Sequence, residues 1–201
     1  MENSGVLFAE SANKGTQFIQ LCNMSNTPII FLQNITGFMV GKKAEQTGII
    51  KAGARLINAI SNSEVPAITL IIGASFGAGN YGMAGREYKP RFLFTWPNSR
   101  CAVMGPEQLG GVLDIVSRQA IERRGLKLTE DLEKQANLQK QRYVQQIEEE
   151  SNAYYTTSRV IDDGIIQIRD TRNVIGFCLS VLYNNHILGG NSYGVSVGCD
   201  I

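Results

Sequence analysis

Pro66-Ala-Ile-Thr-Leu-Ile-Ile72 runs directly into Gly73-Ala-Ser-Phe-Gly-Ala-Gly-Asn-Tyr-Gly82. An apolar run opened by proline fits a buried strand, and the glycines that follow mark tight backbone turns within a folded domain. Pro28-Ile-Ile-Phe-Leu-Gln33 repeats the pattern and passes into a glycine-punctuated loop, Asn34–Gly41. Between the two runs, residues 48–61 set Ile49, Ala52, Leu56, Ala59 and Ile60 on one helical stripe. Residues 10–25 predict an earlier helix with Phe18, Leu21 and Cys22 on one face. Short strands are expected at 91–96 and 101–104, then an amphipathic helix over 107–122. Residues 126–150 are polar and helix-forming, with sparse Leu126, Leu128, Leu132 and Leu138. They read either as a protruding helix or hairpin packed on another chain, or as a solvated surface helix. A closing helix over 172–188 carries Val174, Ile175, Cys178, Val181 and Leu182, and the tail 189–201 has no clear pattern. Strands alternating with helices predict an α/β fold on a mainly parallel sheet.

At 201 residues the chain is long enough for one domain with its own core. Nineteen basic against 18 acidic side chains leave a net charge of +1, which gives no support to nucleic-acid binding. The apolar runs fall far short of the ~20 residues of a membrane span. Residues 1–15 carry acids at Glu2 and Glu10 and no arginine, so they resemble neither a signal nor a transit peptide. Cys22, Cys101, Cys178 and Cys199 are scattered, without a CxxC pair or a second histidine near His186. Reduced thiols are expected, and no metal site.

Gly77-Ala-Gly79-Asn-Tyr-Gly82 matches GxGxxG after a strand. A dinucleotide fold nevertheless fails on spacing. The next strand starts near Arg91, too soon for a crossover helix, and position 102, where an acid belongs, is Ala102. The same residues can instead present consecutive backbone amides to an oxyanion at the start of a short helix. Close packing of that helix on the sheet explains the glycines equally well. His186 has no GxSxG to serve, Asp162-Asp163 and Glu148–Glu150 read as solvated charge, and Asp162-Asp163-Gly164 reads as a turn. Side chains alone supply little chemistry, so any catalysis falls to backbone dipoles and a cofactor.

Longer strings narrow the field. Phe31-Leu-Gln-Asn-Ile-Thr-Gly-Phe-Met-Val-Gly41, Leu70–Met83 and Pro90-Arg-Phe-Leu-Phe-Thr-Trp-Pro-Asn98 resemble the carboxyltransferase subunits of biotin-dependent acyl-CoA carboxylases, and within them the methylcrotonoyl-CoA carboxylase β chains. Ala102-Val-Met-Gly105, Glu107-Gln108, Tyr154-Tyr155, Ser158-Arg-Val160 and Asp162–Ile166 extend the likeness, which covers about residues 4–182. The resemblance implies a crotonase-like spiral of β-β-α units. It makes the whole chain, 1–201, a carboxyltransferase C-terminal domain that lacks its N-terminal companion and ends in an atypical tail, 189–201.

The resemblance further implies carboxyl transfer from carboxybiotin to an acyl-CoA, with 3-methylcrotonoyl-CoA of leucine breakdown the expected substrate. Propionyl- or geranyl-CoA enzymes, or a truncated non-catalytic pseudo-subunit, are the alternatives. Biotin would arrive on a partner α subunit. The missing domain or sister β subunits would complete a homo-oligomer, in the mitochondrial matrix of a eukaryote or the cytoplasm of a bacterium. Ala78 and Gly79 match the family's amide pair for charge on the biotin carbonyl, with Gly37, Phe38, Gly77 and Tyr81 lining the biotin slot. Phe38 and Tyr81 are equally readable as core aromatics. The chain departs from the family pattern at Pro106, where glycine is expected, and at Gln167-Ile168-Arg169.

Overall fold

The spine of the molecule is one long strand in a parallel sheet. The computed structural model describes residues 5–123, 130–185 and 187. In chain order the elements are β1 (Val6–Leu7), α1 (Ala9–Met24), β2 (Ile29–Ile35), β3 (Gly37–Phe38), α2 (Lys42–Gln46), α3 (Ile49–Ser61), β4 (Ala67–Phe76), α4 (Ala78–Tyr81), β5 (Phe92–Thr95) and β6 (Arg100–Ala102). Four helices follow: α5 (Pro106–Arg123), α6 (Glu130–Ser151), α7 (Ala153–Ser158) and α8 (Thr171–Leu182). β4 is central. β2 pairs along one side, while β5 pairs with its first half and β6 with its second, all parallel. β1 and β3 form a separate parallel pair.

Both strands of the first ladder run further than the sequence suggests. Between Gln33 and Ile35 the register slips, so that Gln33 faces Ile71 while Ile35 faces Ser75. The Asn34 side chain fills the slip: its Oδ1 accepts from the Ala74 amide at 3.1 Å, in space that a side chain at Gly73 would occupy. This bulge carries β4 through Gly73 to Phe76 and sets where the following turn begins.

Helices pack against both faces of the sheet. On one, α1 and α3 close a core of Ala12, Ile19, Cys22, Phe31, Leu56 and Ile60. The α3 stripe expected from spacing is buried at all five positions. On the other face, Ile175, Cys178 and Leu182 of α8 meet Ile68, with Phe92 and Phe94 alongside. The expected face of α1 is corrected. Phe18 and Leu21 are exposed, and the buried stripe is Ala12, Thr16, Ile19, Cys22 and Asn23. Small residues let α1 approach α3, and Asn23 hooks the loop beyond it. β2 is buried only on alternate residues, so Ile30 and Leu32 stand exposed where a two-sided burial was expected.

α5 and α6 form a hairpin and are each other's packing partners. Gly110 lies so close to Val144 that a Cβ there would come within 2.8 Å of its Cγ2, and Arg118 joins Asp114 to Glu133. The partner for α6 is thus within the chain, while Leu138 is exposed. Pro106 opens α5 at its first position, where an N–H would have no partner within the helix, so this departure costs the helix no hydrogen bond. The tail 189–201 lies outside the described residues.

Candidate active site

At the end of β4 the chain reverses at Gly77, with φ +53° and ψ −137°. An added Cβ there would sit 2.9 Å from the Val103 carbonyl oxygen. The Gly77 amide donates to the Ala102 carbonyl at 3.1 Å, pinning the reversal to β6. α4 is a single turn, closed by Asn80 N–H donating to Gly77 O at 3.1 Å and Gly82 N–H to Ala78 O at 3.2 Å. The amides of Ala78 and Gly79 find no acceptor among the described residues. The first amides of a helix lack partners by construction, yet Gly79 is itself buried, where an orphaned donor is uncommon. Two successive unpaired N–H groups can donate to an oxygen that gains negative charge.

Ala78, Gly79 and Tyr81 lie on α4, Gly77 precedes it, and Gly37 and Phe38 lie at the β2–β3 junction beneath it, with the Phe38 ring turned into the core. A Cβ on Gly79 would meet Ile35 Cγ1 at 2.7 Å and the Gly37 Cα at 3.2 Å, so the turn rests on the β2–β3 junction. Gly37 itself has φ +146°. Phe38 packs against the first core, its ring wedged between Gly53 and Gly82. Tyr81 is exposed and meets Tyr88 edge-on, with ring centres 6.0 Å apart. Packing therefore accounts for the glycines at 77 and 79, but it leaves their neighbouring amides free. Met39 and Val40, which follow Phe38 in the chain, and Val103, whose carbonyl faces Gly77, are exposed apolar residues.

Electrostatics below the turn are set by burial. Desolvation, then the Glu87 carboxylate, pushes the Cys101 thiol up to about 11 from 9.0; a hydrogen bond with Ser75 opposes this and Asp162 adds to it. Tyr88 is raised by burial and by its neighbours Tyr81 and Glu87. The 162–164 turn is docked, not free. Asp162 is buried and accepts from Thr157 Oγ1 at 2.7 Å, where solvated charge was expected. Asp163 accepts from the Leu93 amide at 2.8 Å and pairs with Arg86 at 3.1 Å. His186 lies outside the described residues.

Sequence reasoning missed Gln33, Ser75 and Asn80, which form a hydrogen-bonded chain beneath the turn. The signal was present in the alternation of β2. Ile29, Phe31, Gln33 and Ile35 share the inward register, so a carboxamide there must have buried partners.

The sequence profile of the carboxyl transferase domain matches residues 1–191. The chain is 52% identical over 193 residues to a probable biotin-dependent acyl-coenzyme A carboxylase beta2 subunit of Mycobacterium tuberculosis, covering 95% of this chain and 36% of that protein. It is 52% identical over 182 residues to the mitochondrial methylcrotonoyl-CoA carboxylase beta chain of Arabidopsis thaliana, covering 90% and 30%. The crystal structure of the geranyl-CoA carboxylase beta subunit of P. aeruginosa superposes with a TM-score of 0.82 at 43% identity, over 96% of this chain and 36% of that one. The chain thus spans about a third of the length of these relatives and shares their crotonase-like α/β fold. It belongs to the carboxyl transferase domain family of biotin-dependent acyl-CoA carboxylases.

Proposed function

We propose that this chain is the C-terminal domain of a carboxyltransferase that moves a carboxyl group from carboxybiotin to an acyl-CoA, with 3-methylcrotonoyl-CoA as substrate. The observation that carries the reading is the pair of unpaired amides at Ala78 and Gly79 in a chain of this family. Biotin, when bound in its carboxylated form, supplies the carboxyl group and a ureido oxygen on which negative charge grows as that group leaves. The residues present suit such a ligand. Two free donors face an oxygen acceptor's needs, and Met39, Val40, Tyr81 and Val103 offer apolar surface to a bicyclic ring.

In this reading the Ala78 and Gly79 amides donate to the ureido oxygen. Gly77 holds them to β6, and Gly37 gives the approach its open wall. Phe38 supports the turn from the core. Because charge develops only during reaction, these donors lower the barrier more than they tighten binding, each by about 2.7–4 kcal/mol. No side-chain base is needed on this domain. The acyl-CoA would be held largely by the amino-terminal carboxyltransferase domain, and biotin delivered by a separate chain. The compartment follows the host: mitochondrial matrix in a eukaryote, cytoplasm in a bacterium.

The test is complementation. Labelled bicarbonate incorporation into 3-methylcrotonoyl-CoA should be absent for the chain alone. It should appear when an amino-terminal carboxyltransferase domain and a biotin-carrying subunit are added. Turnover by the isolated chain would contradict the division of labour, and assembly without turnover would mark a non-catalytic subunit.

A further inference from the structure

The turn bearing the free amides is held from beneath by a directional relay. Gln33, fully buried, donates through Nε2 to the Met83 carbonyl at 2.6 Å and accepts through Oε1 from Ser75 Oγ at 2.7 Å. Ser75, also fully buried, accepts from Asn80 Nδ2 at 2.7 Å. The proton order is forced. The Met83 carbonyl can only accept, so the nitrogen of the Gln33 amide faces it and the oxygen faces Ser75. Ser75 therefore spends its single proton on Gln33, and whatever atom of Asn80 reaches Ser75 must be a donor. The Asn80 oxygen then lies over Gly85, 1.6 Å from where a Cβ would be.

The relay grips the segment after the amide pair at two points, the Asn80 side chain and the Met83 carbonyl, and ties both to strands β2 and β4. Nothing in it reaches toward a ligand. Its hydrogen bonds run in one direction only, and Cys101 lies beside them, its Sγ 4.0 Å from Asn80 Nδ2 and hydrogen-bonded with Ser75. Catalytic donors act only when fixed close to the productive geometry, and a buried, satisfied network is a means of fixing them. We propose that Gln33, Ser75 and Asn80 are positioning residues that aim the Ala78 and Gly79 amides at the oxygen they stabilise. The proposal rests on the reading of that turn as the site of carboxyl transfer, and the experiment separates the two.

The assembled carboxylase is assayed with Asn80→Asp, Ser75→Ala, the double variant and Ala78→Pro, each checked for assembly and thermal unfolding. Asn80→Asp keeps the shape but turns an acceptor toward a hydroxyl with no proton left to give. Mis-aiming by a fraction of an ångström to about 1 Å predicts a fall in kcat of up to about 10²-fold, with KM for acyl-CoA unchanged. The double variant should be no worse than the single ones, because either change opens the same relay. In the isotope-labelled chain, the order parameters of the Ala78 and Gly79 amides should fall from about 0.85 toward 0.6 in both single variants. Wild-type kcat in an assembled Asn80→Asp enzyme overturns the proposal, as does a change confined to KM. If neither single variant assembles, the relay holds the fold and not the aim, and the proposal is equally wrong. If Ala78→Pro abolishes turnover while Asn80→Asp does not, only the relay falls; if both retain full turnover, the reading of the turn falls with it.

Discussion

Gly79 is where packing and chemistry meet in one residue. Ile35 and Gly37 leave no room for a Cβ, so the glycine is explained without reference to any ligand, while its amide is left unpaired. For that reason a substitution at Gly79 would confuse steric strain with a lost donor. Ala78 is the cleaner position, since its side chain is exposed and its nitrogen makes no bond among the described residues. Cys101 shows the opposite case, a group silenced by its surroundings. Burial first, then nearby carboxylates, raise its thiol to about 11. The native state therefore keeps a proton that the unfolded chain gives up near pH 9, so this group's contribution to stability is complete below pH 9 and is lost as pH rises toward 11. Alkylation of Cys101 by iodoacetamide, followed by peptide mass spectrometry, should accelerate with a midpoint near 11. A rate that levels off just above pH 9 would contradict the placement of this thiol.

At the scale of elements, α1 is joined to the loop after α3 by one buried side chain. Asn23 donates to Ile19 O and Ser63 Oγ, both at 2.9 Å, and accepts from the Glu64 amide at 2.9 Å. Asn23→Ala also strands the buried Val65 amide, which donates to the same Oδ1 at 3.4 Å, and should cost about 1–3 kcal/mol in urea unfolding. No measurable change would mean that water serves the loop equally well. Asn23 also marks what the sequence could and could not reveal. The α3 stripe was legible because five apolar residues at helical spacing leave one choice of face. The α1 face was not, because Phe18 and Leu21 compete with smaller residues, and only the close approach of α3 decides between them. The turn after β4 was legible from its glycines. The length of β4 was not, since it depends on Asn34 reaching across to Ala74, a contact between residues 40 apart in sequence. The relay under the turn was half legible: alternation places Gln33 inward, but its partners come from another strand and from α4.

On the scale of the whole molecule, the sheet is left partly open. Ile30 pairs with Ile68, and Leu32 with Leu70, on the face that α8 covers, yet both β2 side chains are exposed. A chain spanning a third of its relatives' length, with part of its sheet uncovered, fits a domain that works against another. What this chain would bring to such an assembly is its backbone: a strand end, a reversal at Gly77, and two amides held free. The central claim is that those amides stabilise charge during carboxyl transfer. Ala78→Pro tests it most directly, because proline is accommodated at the first position of a helix and removes only the N–H. In the assembled, folded enzyme, kcat should fall by about 10²–10³ with KM for acyl-CoA little changed. Wild-type kcat in that variant would show that residues 77–82 form a packing turn and that the chemistry lies elsewhere.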